Sequence, residues 1–225
     1  GVADHNTINT TYTYSAGDYI FGAIADTDGI DTLDFSGYDQ ALDITLTADQ
    51  WLDLGQDHTV LDGFNDRDLF IPANVIIENL KGTTLADVLG GNAADNVLSG
   101  GEGNDTLSGG PGADQLDGGY GFDTVNFSGS YGDYTITESG GTITVVDERD
   151  SSPDGIDTLT NVETLYFAGE DKSYDAPGSA PSNQPPEVAP VTKAGDEDTE
   201  IGFTLADFTA GFNDPDTGDD LAKIE

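Results

Sequence analysis

Residues 82–126 repeat one nine-residue phrase: GTTLADVLG, GNAADNVLS, GGEGNDTLS, GGPGADQLD and GGYGFDTVN. Position eight is always apolar (Leu89, Leu98, Leu107, Leu116, Val125), and position six is Asp87, Asn96, Asp105, Asp114 and Asp123. A period of nine belongs to neither an α-helix nor a heptad, and glycine at this density opposes both.

The phrase resembles the glycine-rich nonapeptide of RTX (repeats-in-toxin) proteins, which implies a right-handed parallel β-roll that binds Ca²⁺, each unit a tight glycine loop followed by a short strand whose eighth residue points inward. If two units make one coil, loops n and n+2 stack on the same edge at the spacing of adjacent strands, about 4.8 Å. Asp87, Asp105 and Asp123 then form one column, and Asn96 and Asp114 the other. Column chemistry agrees with that implication. Carboxylates at strand spacing repel by about 1 kcal/mol in water and by about 3–4 kcal/mol at an effective dielectric near 20. A hard divalent cation held by Asp oxygens and loop carbonyls turns that repulsion into a staple, and several Ca²⁺ ions are expected. The expected ligands are Asp87, Asn96, Asp105, Asp114 and Asp123, with Gly100, Glu102, Gly109 and Gly118 from the loops. Leu85 and Ala94 replace the third glycine of the first two units, and Asn96 replaces an Asp. Those two units stand either as metal-bearing coils or as purely structural ones. A phosphate cradle is a poor fit, because Thr106 occupies the place of the last glycine in GxGxxG and no Lys follows. A disordered acidic tract is equally poor, because the inward Leu/Val column is too regular.

Charge narrows the partners. The chain has 6 Lys and Arg against 44 Asp and Glu, a formal net charge of -38. Most of those acids are Asp, whose short side chain suits tight loops and metal ligation. Nucleic acid and anionic membrane are poor partners for such a field, since both need Lys and Arg to neutralise phosphate, and no nucleic-acid partner is expected. Cysteine is absent, so there is no disulfide framework and no thiolate metal site. No apolar run approaches the roughly 20 residues of a membrane span, so no membrane insertion is expected. GVADHNTINT lacks the basic and apolar parts of a signal peptide; export by another route, or a place inside a longer polypeptide, is expected.

The flanks carry further resemblances. DTDGIDTLDFSGYDQALDITLTADQWLDLG and IPANVIIENLKGTTLADVLGGNAADN resemble the C-terminal region of serralysin-type secreted metalloproteases, over roughly residues 20–126. That resemblance implies calcium ligands at Asp26, Asp31 and Glu78, with Asp28 and Gly29 at a loop position that offers backbone oxygen. The family's zinc motif, HExxH, is missing: neither His5 nor His58 is followed by Glu. With no third His to complete a zinc site, this chain is expected not to be an enzyme.

Downstream, ALDITLT (41–47), DYTIT (133–137), TITVVD (142–147) and VETLYF (162–167) read as half-buried strands. Gly140–Gly141 reads as a hairpin turn. The segment is similar to one that follows rolls in RTX proteins, and is expected to cover the open end, with Tyr131, Tyr134, Tyr166 and Phe167 in its core. APGSAPSNQPP (176–186) is an extended linker. The last forty residues resemble the start of a cadherin-like or Ig-like tandem module, which implies calcium positions among Glu197, Asp198, Asp214, Asp216 and Asp219. An EF-hand is the rival there, with Asp214, Asp216 and Glu225 in place but glycine one position early.

The expected organisation is all-β: a serralysin-like β region (1–81), the repeat roll (82–126), a β cap (127–175), the linker (176–186) and an incomplete β-sandwich module (187–225). The expected role is a calcium-dependent structural module of a large secreted or bacterial cell-surface protein exported by type I secretion. Its partners are calcium and neighbouring domains of the same polypeptide. Two parents stay open: an adhesin or surface-layer protein, and a serralysin-like protease whose non-catalytic C-terminal region this would be.

Overall fold

The computed structural model describes residues 9–18, 20, 22–25, 28–52, 54, 69–178, 187–188 and 212–213. Ahead of the repeats lie β1 (Thr11–Ser15), β2 (Gly22–Ala23), β3 (Thr32–Gly37), β4 (Asp43–Thr45), β5 (Gln50–Leu52), β6 (Leu69–Ile71) and β7 (Asn79–Lys81). The repeats form β8 (Val88–Gly90), β9 (Val97–Glu102), β10 (Thr106–Ser108), β11 (Gln115–Tyr120) and β12 (Thr124–Phe127). After them come β13 (Tyr134–Ser139), β14 (Thr142–Asp147), β15 (Ile156–Thr160), β16 (Thr164–Phe167) and β17 (Lys172–Asp175). A detached antiparallel pair, β18 (Glu187–Val188) with β19 (Phe212–Asn213), follows the linker.

Successive repeat strands go to alternate sheets, which makes the fold a parallel β-roll. One sheet has the order β1-β3-β7-β9-β11-β15-β14-β13, the other β17-β16-β12-β10-β8-β4. The repeat register is eighteen residues, two units per coil: Leu107 pairs with Leu89, and Leu116 with Leu98. Position-eight side chains stack as two ladders inside the roll. Leu33, Leu80, Leu98, Leu116 and Leu159 form one; Ile44, Leu89, Leu107, Val125 and Leu165 form the other. All ten are buried in a common hydrophobic cluster. At about 1.5–3 kcal/mol for each fully buried aliphatic side chain, these ladders are the main apolar stabilisation of the coils.

The parallel stacking extends past the repeats on both sides. β3 and β7 precede β9 in one sheet, β4 precedes β8 in the other, and β15 and β16 follow β11 and β12. Beyond them the direction reverses. β14 pairs antiparallel with β15, β13 with β14, and β17 with β16. The β13–β14 hairpin turns at Gly140 (φ 64°) and Gly141 (φ 81°), the left-handed pair that a two-residue turn of this twist requires.

The aromatic core of this segment differs from the sequence expectation. Phe127, Tyr134 and Phe167 are buried, with ring centroids 5.2–5.4 Å apart. Tyr131 is exposed at the rim of this core, stacking on Tyr174 and meeting Phe167 edge-on at 5.4 Å. Tyr166 sits between inward Leu165 and Phe167, so strand alternation sends it outward, where its hydroxyl donates to Asp171.

Candidate metal centre

The sixth-position side chains line the two edges of the roll, and each acid takes a backbone N–H from the previous coil. On one edge Leu42 N–H donates to Asp87 Oδ1 (2.7 Å), Asp87 N–H to Asp105 Oδ1 (2.8 Å), Asp105 N–H to Asp123 Oδ1 (2.8 Å) and Asp123 N–H to Glu163 Oε2 (2.8 Å). On the other, Thr10 N–H donates to Asp31 Oδ1 (2.8 Å), Asp31 N–H to Glu78 Oε2 (2.7 Å), Asn96 N–H to Asp114 Oδ1 (2.8 Å) and Asp114 N–H to Asp157 Oδ1 (3.1 Å). The columns expected from the repeat are present, but one oxygen of each acid is already committed to an amide.

The second oxygen divides the units into two kinds. Asp87 Oδ2 accepts the N–H of Thr83 at 2.6 Å. Asn96 Oδ1 accepts the N–H of Asn92 at 2.8 Å, and its Nδ2 donates to Glu78 O at 3.1 Å. Both side chains are thereby satisfied within the protein. Asp105, Asp114 and Asp123 differ: Oδ2 of each is buried and has no hydrogen-bond partner. Position two decides the difference. Thr83 and Asn92 point their amides at the acid, whereas the later units carry Gly101 (φ 115°), Gly110 (φ 89°) and Gly119 (φ 99°), whose peptides are turned by a backbone angle that side chains rarely adopt.

Backbone oxygens converge on the same places. A Cβ built at Gly100 would press on Asp105 Oδ2 and lie 2.5 Å from Gly118 O. One built at Gly118 would lie 2.5 Å from Asp123 Oδ2 and press on Asn161 O, and one at Gly109 would press on Asp114 Oδ2. Glycine at position one therefore leaves open a cradle walled by the side-chain oxygen of position six and, at Gly82, Gly91, Gly100 and Gly118, a carbonyl of the next coil; only in the later units is that side-chain oxygen unpartnered. Among the described residues, no three His, Cys, Asp or Glu side chains converge on one point, so an ion here draws much of its shell from carbonyls. An all-oxygen, loop-built donor set with buried unpaired carboxylates fits Ca²⁺, which accepts 6–8 oxygens in flexible geometry. It does not fit Zn²⁺, which prefers His and Cys.

Burial and like charge push these acids out of the usual carboxylate range. Asp105 is pushed up to about 7, mainly by burial and also by the charges of Asp123 and Asp87, against the Asp87 amide. Asp114 and Asp123 are pushed up to about 6, again mainly by burial, with Asp95 adding to the first and Glu163 and Asp117 to the second. Asp157 is pushed up to about 8 by burial and by Asp114 and Asp154. Buried acids without a cationic partner need a proton or a metal.

Of the remaining expected ligands, Asp31 and Glu78 are joined directly, while Asp28 and Gly29 lie on an exposed bend before β3. Glu102 is exposed at the end of β9. Asp26, Asp214, Asp216 and Asp219 lie outside the described residues, as do His5, His58, Glu197 and Asp198. Asp157 and Glu163 were not foreseen. Their signal is faint: SPDGIDTLT (152–160) keeps the repeat's Gly, Asp and Leu at positions four, six and eight.

Residues 90–125 match the family model of the RTX calcium-binding nonapeptide repeat in 4 copies. This stretch is an RTX repeat array. RTX nonapeptides bind calcium ions, so the array is a calcium-binding module. The match begins at residue 90, after the coil in which Thr83 satisfies Asp87. No curated protein matches the chain. Among solved structures the chain is similar to the extracellular lipase LipA from Serratia marcescens, at 20% identity and a TM-score of 0.37. That alignment covers 42% of this chain and 15% of the lipase, so the chain spans a small part of that protein's length. A likeness of that size carries no argument about function.

Proposed function

We propose that the chain is a calcium-dependent folding and scaffolding module of a large secreted or cell-surface RTX protein. The observation that carries this reading is the set of three buried, unpartnered carboxylate oxygens on Asp105, Asp114 and Asp123. Bound calcium would supply the positive charge that lets these acids stay ionised in the roll. The chain's own part is to hold the acids with amides from one side, through the Asp87, Asn96 and Asp105 N–H groups, and to keep Gly100, Gly109 and Gly118 clear on the other. Asp87 and Asn96 serve as metal-free coils that template the first turn of the array. The test is circular dichroism of the whole chain during a calcium titration from chelator-treated buffer. A cooperative gain of β signal is expected; full β signal in EDTA that calcium leaves unchanged would overturn the reading.

An adhesin or surface-layer parent is favoured by the Pro-rich linker at 176–186 and by the module-like sequence after it. The second reading, the C-terminal region of a serralysin-like protease, is favoured by the resemblance over residues 20–126, whose implied calcium ligands Asp31 and Glu78 lie side by side, the Asp31 N–H donating to Glu78 Oε2. Sequence adjoining this chain in its gene decides between them: HExxH upstream means protease, further sandwich repeats downstream mean adhesin. Both parents place the module outside the cell, where free calcium is high.

A further inference from the structure

We propose that residues 152–163 carry both acidic columns one coil past the RTX array, so that Asp157 and Glu163 complete the last calcium site on each edge, opposite Asp114 and Asp123. The proposal rests on the calcium reading above and assigns sites in a segment that the repeat match leaves out.

On the first edge, SPDGIDTLT (152–160) lies on GGPGADQLD (109–117) in repeat register, with Leu159 beside Leu116 and Thr158 beside Gln115. The hydrogen bonds of the repeats recur there. Asp114 N–H donates to Asp157 Oδ1 at 3.1 Å and Thr158 N–H to Asp114 O at 2.8 Å. One coil earlier, Asn96 N–H donates to Asp114 Oδ1 and Gln115 N–H to Asn96 O, both at 2.8 Å. The fourth-position glycine recurs too. Gly155 (φ 75°) would press a Cβ on Gly112 O, as Gly121 would on Gly103 O.

The other edge shows the same continuation through a shorter turn. Asp123 N–H donates to Glu163 Oε2 at 2.8 Å, and Thr164 N–H to Asp123 O at 3.0 Å. Asn161 O approaches Gly118 as Gly118 O approaches Gly100, so Asn161 (φ 51°) stands where a repeat has its first glycine. Asp157 and Glu163 are six residues apart, where the acids of successive repeats are nine.

What calls for a cation is the pair of unpartnered oxygens these residues face. Asp114 is 1% exposed and Asp123 0% exposed, and Oδ2 of each is without a partner. Asp157, itself 2% exposed, adds a second buried acid beside Asp114. Arg149, the nearby cation, is held by Asp147 (2.7 Å) and Asp154 (3.1 Å). Adjacent buried acids with no basic partner are the setting in which a metal is retained.

The experiment uses the full 225-residue chain, with calcium chloride as the probe, isothermal titration and native mass spectrometry to count ions. Asp157→Asn and Glu163→Gln each keep an oxygen for the column amide but lose the charge. Each is expected to bind one ion fewer, or to weaken one class of site at least tenfold, while Asp95→Asn matches the wild type. Wild-type ion counts and affinities within twofold in both variants would overturn the proposal and leave the calcium reading intact. A wild-type chain that binds no calcium would overturn both. If Asp157→Asn fails to fold in saturating calcium, Glu163→Gln decides alone.

Discussion

The backbone amide of Asp105 donates to Oδ1 of Asp123, 2.8 Å away in the next coil, while Oδ2 of the same Asp123 is buried without a partner. One carboxylate thus has one oxygen that stitches coils together without metal and one that asks for a cation. The two functions separate under mutation.

Asp105→Ala is expected to weaken calcium binding at least tenfold, and Asp95→Ala less than twofold. Asp105 is buried in the column with an unpaired oxygen, whereas Asp95 accepts an exposed amide from Ala113 on the loop surface. Calorimetric titration of both variants checks this. Equal losses would mean that the ions sit outside the cradles.

The column itself was legible because Leu89, Leu98, Leu107, Leu116 and Val125 recur every nine residues, which fixes both the inward face and the pairing of alternate units. What was less legible turns on contacts that a repeat pattern does not encode. Whether Thr83 or Gly101 stands at position two decides if an acid is satisfied, yet both fit a glycine-rich loop. Asp157 was missed because 43 residues, including a whole hairpin, separate it from Asp114. Tyr166 is aromatic, yet the period-two alternation that Leu165 and Phe167 set places it on the outer face.

Gly100→Ala tests the cradle without touching a charge. Its φ lies outside the left-handed region, so the added methyl acts by occupying space against Asp105 Oδ2 and Gly118 O. Calcium affinity at one site is expected to fall at least tenfold. Gly132→Ala, where a Cβ meets nothing within 4 Å, serves as the control and should titrate like wild type.

Acid should act in opposite directions with and without calcium. Asp105 (about 7), Asp114 and Asp123 (about 6) are raised in the fold above an unfolded value near 3.9. The native state therefore binds more protons than the unfolded chain between about pH 4 and 7, and stability without calcium falls as pH rises through that window. In EDTA the folded fraction, read as β signal, should climb as pH drops from 7.5 to 5. Calcium needs the ionised acids, so its affinity should fall over the same range. Circular dichroism in EDTA and calcium titrations at each pH check both slopes; a rise of β signal with pH in EDTA contradicts the burial argument.

The chain is expected to hydrolyse no peptide bonds. It has two His, neither in HExxH, and no Cys. Casein incubated with the purified chain, Zn²⁺ and Ca²⁺ should remain intact relative to buffer. Chelator-sensitive cleavage would require a metal site built from other residues.

Calcium is expected to govern whether the roll is folded at all. With a net charge of -38 and 36% hydrophobic residues, the chain has little apolar surface to offset ordering entropy and self-repulsion. Its two buried ladders are one side chain wide, and three carboxylate oxygens inside the edges lack partners. Extracellular calcium modules bind at about 10⁻⁴–10⁻³ M. A site at 100 times its dissociation constant adds about 2.7 kcal/mol, so three independent sites approach about 8 kcal/mol. That is comparable to the whole stability of a small domain, about 5–15 kcal/mol. At low free calcium the chain is expected to stay unfolded, and at millimolar calcium to lock. A fragment spanning 20–175 should therefore gain β signal cooperatively as calcium rises, and should show a cooperative melting transition in millimolar calcium but not in EDTA. A melting transition in EDTA that calcium leaves unchanged would show that the Leu ladders and the carboxylate–amide bonds hold the roll without help.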